Sequence, residues 1–205
     1  LQEVLPLIRL STAYRGIDEG LTESLSHDFY AGSLSRLPAA RSLGAGTPAL
    51  KAEYVPDGTG SLGADGESVE TTVAEVQRVV DLVFTHLARR GDTTLAVIAG
   101  NRRHAAAIAE GIRVQLPNHP WATKYFRAAK ERFLVTSVDR LAGLQRDAII
   151  LSAGYGRTTH GKTVHDFGAL SQPGGDELFV NAVTRARESM VLVSALRPQD
   201  MDLAR

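Results

Sequence analysis

Hydrophobic positions along the chain follow two spacings, and their alternation predicts an α/β fold. Valine and leucine recur every three or four residues through 69–89, which is typical of an amphipathic helix. Short continuous apolar runs, such as 93–99 and 148–153, are typical of buried parallel strands. By these criteria helices are predicted at 17–30, 69–89, 104–116 and 177–187, and strands at 5–10, 51–55, 93–99, 133–136, 148–153 and 190–194.

The order of these elements predicts a mostly parallel sheet covered by helices on both faces. In such folds the functional residues are expected at the carboxyl ends of the strands. Residues 31–66 are rich in Gly, Ser, Pro and Ala, which predicts a long surface connection around the strand at 51–55. Residues 154–175 hold many Gly and His residues and are predicted to form a loop.

Length and composition limit the class of protein. The 205 residues suffice for one α/β domain with a sizeable core. The chain has no cysteine, which excludes disulfides, thiolate metal sites and a cysteine nucleophile. It shows neither a signal peptide nor an apolar run near the ~18 residues of a membrane span, so we expect a cytoplasmic protein with no membrane partner. Because it begins at Leu1 within an apolar stretch, we expect a fragment of a longer protein.

The formal net charge of +0 hides a local asymmetry. Residues 57–81 hold six acids and one base, a net charge of −5, and residues 101–132 hold seven bases and two acids, a net charge of +5. Such asymmetry marks either a surface for a partner or two solvated faces that differ in charge.

Residues 156–163 match the phosphate-binding pattern G-x-x-x-x-G-K-[ST] letter by letter. A true phosphate-binding loop leads into a helix whose N-terminal amides cradle the phosphates. The residues after Thr163 have no helical spacing and end in Pro173-Gly174-Gly175. We therefore favour a polar loop that matches by chance, with a true nucleotide site as the alternative.

Three sequence blocks resemble motifs IV, V and VI of superfamily 1 helicases. The blocks are 10–15 (LSTAYR) followed by 28–32 (DFYAG), then 135–152 (VTSVDRLAGLQRDAIILS), then 179–187 (FVNAVTRAR). The segment between the last two blocks resembles the large bacterial helicase-like ATPases related to the eukaryotic RNA surveillance helicases. The resemblance covers nearly the whole chain.

This resemblance implies a RecA-like three-layer α/β/α domain at 1–205, the second RecA-like domain of a helicase, with the fold of P-loop NTPases but no functional P-loop. ATP and Mg²⁺ are then held mainly by an N-terminal RecA-like domain of the same chain. Arg15 and Arg185 are expected as arginine fingers, because guanidinium is always charged and forks onto phosphate oxygens. Tyr14, Gly143 and Gln145 are expected to contact the nucleotide.

Two departures from the family pattern bear on that expectation. Gln145 stands where the family has a glutamate, and Val180 stands where it has an asparagine, with Asn181 one position later. One position on a helix is about 100° of rotation. These departures leave a second hypothesis open: a degenerate, non-catalytic module that docks a protein or a nucleic acid.

The resemblance also implies contacts to single-stranded DNA or RNA. Thr136 and Ser137 of motif V, and the loop Asn101-Arg102-Arg103, are expected to contact the phosphate backbone without reading its sequence. Trp121, Tyr125 and Phe126 follow in the basic segment and are predicted to pack beneath the neighbouring helix, with stacking on bases as the alternative. We expect the chain alone not to hydrolyse ATP.

Overall fold

The computed structural model describes residues 11–13, 19–36, 49–56, 58–63, 69–127 and 132–200. The helices are α1 (Glu19–Tyr30), α2 (Val73–Arg90), α3 (Arg102–Gln115), α4 (Thr123–Arg127) and α5 (Gly175–Val183). The strands are β1 (Thr12–Ala13), β2 (Ser35–Arg36), β3 (Leu50–Tyr54), β4 (Ser61–Leu62), β5 (Val69–Glu70), β6 (Leu95–Ala99), β7 (Phe133–Ser137), β8 (Arg146–Ser152) and β9 (Ala186–Ser194).

Five strands form a central sheet in the order β3-β9-β8-β6-β7, and every neighbouring pair is parallel. The predicted parallel sheet is therefore confirmed. β6 lies inside it, with Leu95 opposite both Phe133 of β7 and Ala148 of β8. The other four strands form two short ladders, β1 with β2 and β4 with β5.

Side chains of the central strands alternate between two apolar layers. Val97 of β6 packs among the buried side chains of α2 and α3, whereas Ile98 packs with those of α1 and α5. Because both faces are covered, β6 is buried at every position and its sequence reads as one continuous apolar run. The predicted three-layer α/β/α architecture is confirmed.

Two features differ from the sequence predictions: the place of one strand and the end of one helix. The strand at 50–54 lies in the stretch predicted as a surface connection, yet it forms one edge of the central sheet through its pairing with β9. The helix predicted at 177–187 ends at Val183. The Thr184 hydroxyl donates to the carbonyl of Val180 at that end, and Ala186 already pairs with Arg146 in the sheet.

The P-loop-like letters form a small hairpin turn. Within it the amide of Thr158 donates to the carbonyl of Lys162, and Arg157 forms an antiparallel bridge with Thr163. From Thr163 to Phe167 the described chain is extended or irregular, and the next turn is a short 3₁₀ segment, Gly168–Ser171. The predicted absence of a helix is confirmed.

No described helix is long and apolar enough to cross a membrane.

Candidate functional site

The residues predicted to bind a nucleotide or a nucleic acid lie at opposite edges of the sheet. Gly143 and Gln145 come just before β8, and Arg185 comes just before β9, so all three lie at the amino edge. Asn101 follows β6 and Ser137 ends β7, so both lie at the carboxyl edge. The three residues predicted to contact the nucleotide thus lie opposite the carboxyl ends, where the fold alone would place a site, and their roles stay predictions. Tyr14 and Arg15 lie outside the described residues.

Arg185 is held at the amino edge by neutral groups. One terminal nitrogen donates to Oδ1 of Asn181 at 2.7 Å, and the other lies 3.4 Å from the carbonyl of Leu144. Among the described residues its Nε is buried without a hydrogen-bond partner. No carboxylate in that part of the chain pairs with this guanidinium.

Arg187, two positions later, has a different environment. Its guanidinium donates to Asp147 at 3.1 Å, and Asp147 also accepts from the amide and hydroxyl of Thr94. Burial of the Asp147 carboxyl opposes ionisation, but these hydrogen bonds outweigh it and keep its pKa below the usual value. Arg187 therefore has a structural ion pair, whereas Arg185 has none among the described residues.

Gly143 lies beside Arg185 in a conformation that other residues rarely adopt. Its φ is +70°, and a Cβ built there would meet no atom within 4 Å. The backbone turn is thus open to the outside. Gln145 is half-buried, and its carbonyl accepts a hydrogen bond from Arg146 at 2.7 Å. An unneutralised arginine next to an open glycine turn fits a phosphate-bearing ligand.

At the carboxyl edge, Asn101 organises the start of α3. Its side chain accepts from the amide of His104 at 2.7 Å and so caps the helix. The same side chain lies 3.3 Å from the carbonyl of Gly154, to which it donates. Asn101 therefore joins α3 to the loop after β8.

Arg102 and Ser137 converge on Asp139. Arg102 donates from its Nε to Asp139 at 2.7 Å, and the Ser137 hydroxyl donates to the other carboxylate oxygen. Burial of Asp139 opposes ionisation, but these bonds outweigh it and lower its pKa. Ser137 is only 2% exposed, so its hydroxyl faces inward rather than toward solvent. Arg102 and Arg103 are exposed, Arg103 donating to the carbonyl of Leu62.

The basic segment does not form one surface. α3 runs away from the carboxyl edge, and its 14 residues span about 20 Å, so Arg113 lies far from Arg102. Tyr125 lies at the amino edge, where its hydroxyl oxygen is 2.8 Å from the carbonyl of Thr93 and 2.9 Å from that of Arg132, so that the two carbonyls share its one proton. The prediction that the aromatic residues pack beneath a helix is confirmed for Tyr125, which is buried.

The other two aromatic residues pack around Phe84 of α2. Phe126 and Trp121 each meet its ring edge to face, at centroid distances of 6.2 and 6.4 Å. Trp121 keeps 45% of its surface exposed. All three aromatic residues are thus grouped away from Arg102 and Arg103.

A buried polar network, which the sequence patterns do not predict, lies beneath the carboxyl edge. Glu75, His104 and Ser152 are each 0% exposed. Oε1 of Glu75 accepts from the Ser152 hydroxyl at 2.7 Å and from the amide of Gly154 at 2.8 Å. Oε2 lies within 3.4 Å of two further donors, the Ala195 amide and the Thr72 hydroxyl. Glu75, counted above among the acids of 57–81, is therefore an interior group.

Ser152 also contacts His104, whose Nε2 lies 2.7 Å from the hydroxyl oxygen. Because the hydroxyl has one proton and gives it to Glu75, Nε2 must donate, which leaves Nδ1 as a buried acceptor without a partner. The residue types match those of a hydrolase triad, but here the acid bonds the serine instead of orienting the histidine. The network is sealed from solvent and is not arranged for nucleophilic attack.

Burial shifts both titratable members toward their neutral forms. It raises the pKa of Glu75 to about 7 against the opposing effect of four hydrogen bonds, and lowers the pKa of His104 to about 4. The sequence does hold one signal for this site. Thr72-Val-Ala-Glu75 fits a capping box at the start of a helix, yet the Thr72 side chain does not cap α2 and Glu75 turns inward.

Part of the chain is similar in sequence to a curated protein. The chain is 30% identical over 130 residues to the uncharacterized ATP-dependent helicase MG140 of Mycoplasma genitalium. The match covers 61% of this chain and only 11% of that protein, so the chain spans a small part of its length. No family model matches.

Solved structures with a similar arrangement are also helicases by description. They include the C-terminal domain of a possible DNA helicase from Lactobacillus plantarum (15% identity, TM-score 0.44, 76% of this chain and 82% of that one). Another is the Hef helicase domain of Pyrococcus furiosus, with 11% identity and a TM-score of 0.36 over 62% of this chain and 27% of that one. A third is the helicase MrfA bound to DNA, with 12% identity and a TM-score of 0.36 over 74% of this chain and 20% of that one.

The described residues form a three-layer α/β/α domain around a five-stranded parallel sheet. Part of the chain is similar in sequence to a short stretch of an ATP-dependent helicase.

Proposed function

We propose that this chain is the second RecA-like domain of an ATP-dependent helicase or translocase. In this proposal the amino edge completes an ATP site, and the carboxyl edge grips single-stranded DNA or RNA. The observation that carries it is the separation of the two residue groups. Gly143, Gln145 and Arg185 meet at one edge, while Asn101, Arg102 and Arg103 meet at the other.

The state of Arg185 supports its assignment as an arginine finger. Asn181 orients the guanidinium while adding no negative charge, so the charge remains available for a phosphate. Bound ATP and Mg²⁺ supply a transferable phosphoryl group whose developing charge an arginine can stabilise, an effect worth about 10³–10⁵ in rate in well-studied NTPases. Other proposed contacts come from the open turn at Gly143 and from Gln145, with Tyr14 and Arg15 joining from the sequence resemblance.

The P-loop and the carboxylates that hold Mg²⁺ belong, in this proposal, to an N-terminal RecA-like domain of the same protein. The described residues contain no group of three His, Asp or Glu side chains suited to a metal ion. We therefore expect no ATP hydrolysis by this chain alone. Measurable turnover by the pure chain that Lys162→Ala abolishes would overturn this expectation and assign the reaction to the 156–163 turn.

The central test is Arg185→Ala in the protein that carries both RecA-like domains. Loss of the finger should lower kcat for ATP by at least a factor of about 10³. The thermal midpoint should change little, because the contacts of Arg185 to described residues are hydrogen bonds to neutral groups and include no ion pair. Arg187→Ala is the matched control, since it removes the same residue type from the same edge and should keep kcat. Steady-state ATPase assays and thermal unfolding measure both effects.

The second hypothesis, a non-catalytic docking module, rests on the two departures from the family pattern, Gln145 and Val180. Gln145 brings a neutral amide where the family has a carboxylate, which removes a charged contact from the nucleotide edge. Unchanged ATPase activity in Arg185→Ala would favour that hypothesis.

A further inference from the structure

Three segments meet at Glu75, and they are the segments that build the carboxyl edge. Its carboxylate receives the amide of Gly154 after β8, the amide of Ala195 after β9 and the hydroxyl of Thr72 before α2. A buried carboxylate with several donors fixes the positions of those donors, because each would lose its partner if the segment moved.

Gly154 passes this constraint on to Asn101. Its amide donates to Glu75, and its carbonyl accepts from the Asn101 side chain and from the amide of Thr71. Gly154 has no room to shift toward α3, because a Cβ there would lie 2.6 Å from the His104 ring. Glu75, Gly154 and Asn101 are therefore linked by two consecutive hydrogen bonds.

We propose that Glu75 is a positioning residue for nucleic-acid binding: its buried carboxylate, acting through Gly154, holds Asn101 and the start of α3 in place for a single strand that it cannot touch. This inference rests on the proposed function, since it takes the carboxyl edge as the binding surface. It adds a residue that lies in none of the three helicase-like blocks.

The ionised carboxylate is the form that accepts all of these bonds. The groups facing it are His104 from α3, Ser152 from β8 and Thr72 before α2, together with the amides of Gly154 and Ala195. Of these, His104 is the titratable one, and burial keeps it neutral near pH 7. Since burial raises the pKa of Glu75 to about 7, protonation below that pH gives the carboxyl the neutral character of a glutamine.

The test compares Glu75→Gln with the unaltered protein by fluorescence anisotropy on labelled oligo-dT and oligo-U at fixed salt. At pH 8.5 the variant should bind at least tenfold more weakly, although it has lost a negative charge that repels phosphates. The ratio of the two Kd values should shrink toward 1 as the pH falls to 5.5. Taking the ratio removes the titration of other groups.

Asp81→Asn is the matched control, because Asp81 is an exposed acid on the same helix and its loss removes the same charge. Its affinity should equal or slightly exceed that of the unaltered protein. Asn101→Ala should weaken binding, and combining it with Glu75→Gln should add little further loss, since both changes break one linked route.

The possible failures can be told apart. Tight binding by Glu75→Gln at pH 8.5 overturns the positioning role. Absence of binding by the unaltered protein carrying both domains overturns the proposed function itself. If Glu75→Gln fails to fold by near-ultraviolet circular dichroism, Ser152→Ala removes one hydroxyl donor to the same carboxylate and is expected to weaken binding in the same pH range.

Discussion

At the scale of single residues, Arg185 and Arg187 show how far neighbouring positions of one type can differ. Arg187 is neutralised by Asp147, whereas Arg185 contacts an amide oxygen and a carbonyl. The sequence resemblance singled out Arg185, but only the structure shows that its charge is left uncompensated among the described residues. The sequence around Arg187 does not reveal its partner, because Asp147 lies 40 positions earlier in the chain.

Gly143 gives a prediction at this scale. Its φ of +70° costs an L-residue about 1–2 kcal/mol, and the absence of neighbours within 4 Å means that Gly143→Ala adds strain without a clash. We expect urea denaturation to show a loss of about that size. Gly154→Ala is the comparison, since its φ is +73° and its Cβ would also overlap the His104 ring. Gly154→Ala should lower the free energy of unfolding more than Gly143→Ala, because only the Gly154 position adds a clash to the strain. Equal losses in the two variants would contradict this explanation.

At the scale of secondary-structure elements, regular spacing carried most of the information. The apolar period of α2 and the apolar runs of β6 and β8 predicted these elements to within a few residues, because burial against a sheet imposes that period. The end of α5 was mispredicted, since Thr184 closes the helix by a local hydrogen bond that apolar spacing does not reveal. Edge strand β3 was recognised as a strand, but its place in the sheet depends on β9, far along the chain.

The contact between α2 and α3 through Glu75 and His104 predicts how stability depends on pH. The pKa of Glu75 is raised, so its contribution is complete below pH 4.5 and is lost as the pH rises through about 7. The pKa of His104 is lowered, so its contribution is complete above pH 6.5 and is lost as the pH falls through about 4. Between pH 4.5 and 6.5 the two effects oppose each other.

Replacing Glu75 should therefore leave the effect of His104 on stability unopposed. Relative to the unaltered protein, Glu75→Gln should become progressively more stable from pH 4.5 to 6.5, by at most about 1.4 kcal/mol per pH unit. Urea denaturation at three pH values in this window measures the difference. A difference that does not change with pH would mean that Glu75 titrates normally.

At the scale of the whole molecule, the net charge of +0 conceals where the basic groups lie. Arg102 and Arg103 stand exposed at the carboxyl edge, while Arg113 stands at the far end of the same helix. Part of the acidic charge is hidden as well, because Glu75 is an interior group. Charge counted along the sequence could not reveal this, since a helix carries its two ends to opposite edges of the sheet.

This placement predicts a modest dependence of nucleic-acid affinity on salt. Neutralising about two phosphates of a single strand gives a slope of log K against log salt near −1.4. Arg103→Ala should weaken binding and reduce the magnitude of that slope by about 0.7, whereas Arg113→Ala should leave it unchanged. Titrations between 50 and 300 mM salt, as approximate limits, measure the slope. An equal effect of both substitutions would show that the charge acts without regard to position.

The hydrogen bonds of Glu75 also constrain the order in which the domain can fold during synthesis. Its partners lie far ahead in the chain, with Gly154 79 positions and Ala195 120 positions later. At roughly 5–20 residues per second, a ribosome adds Ala195 about 6–24 s after Glu75. During that interval α2 can form, but the Ala195 amide that donates to Glu75 has not yet been synthesised. The carboxyl edge is therefore completed late in synthesis, only after β9 and Ala195 have been added.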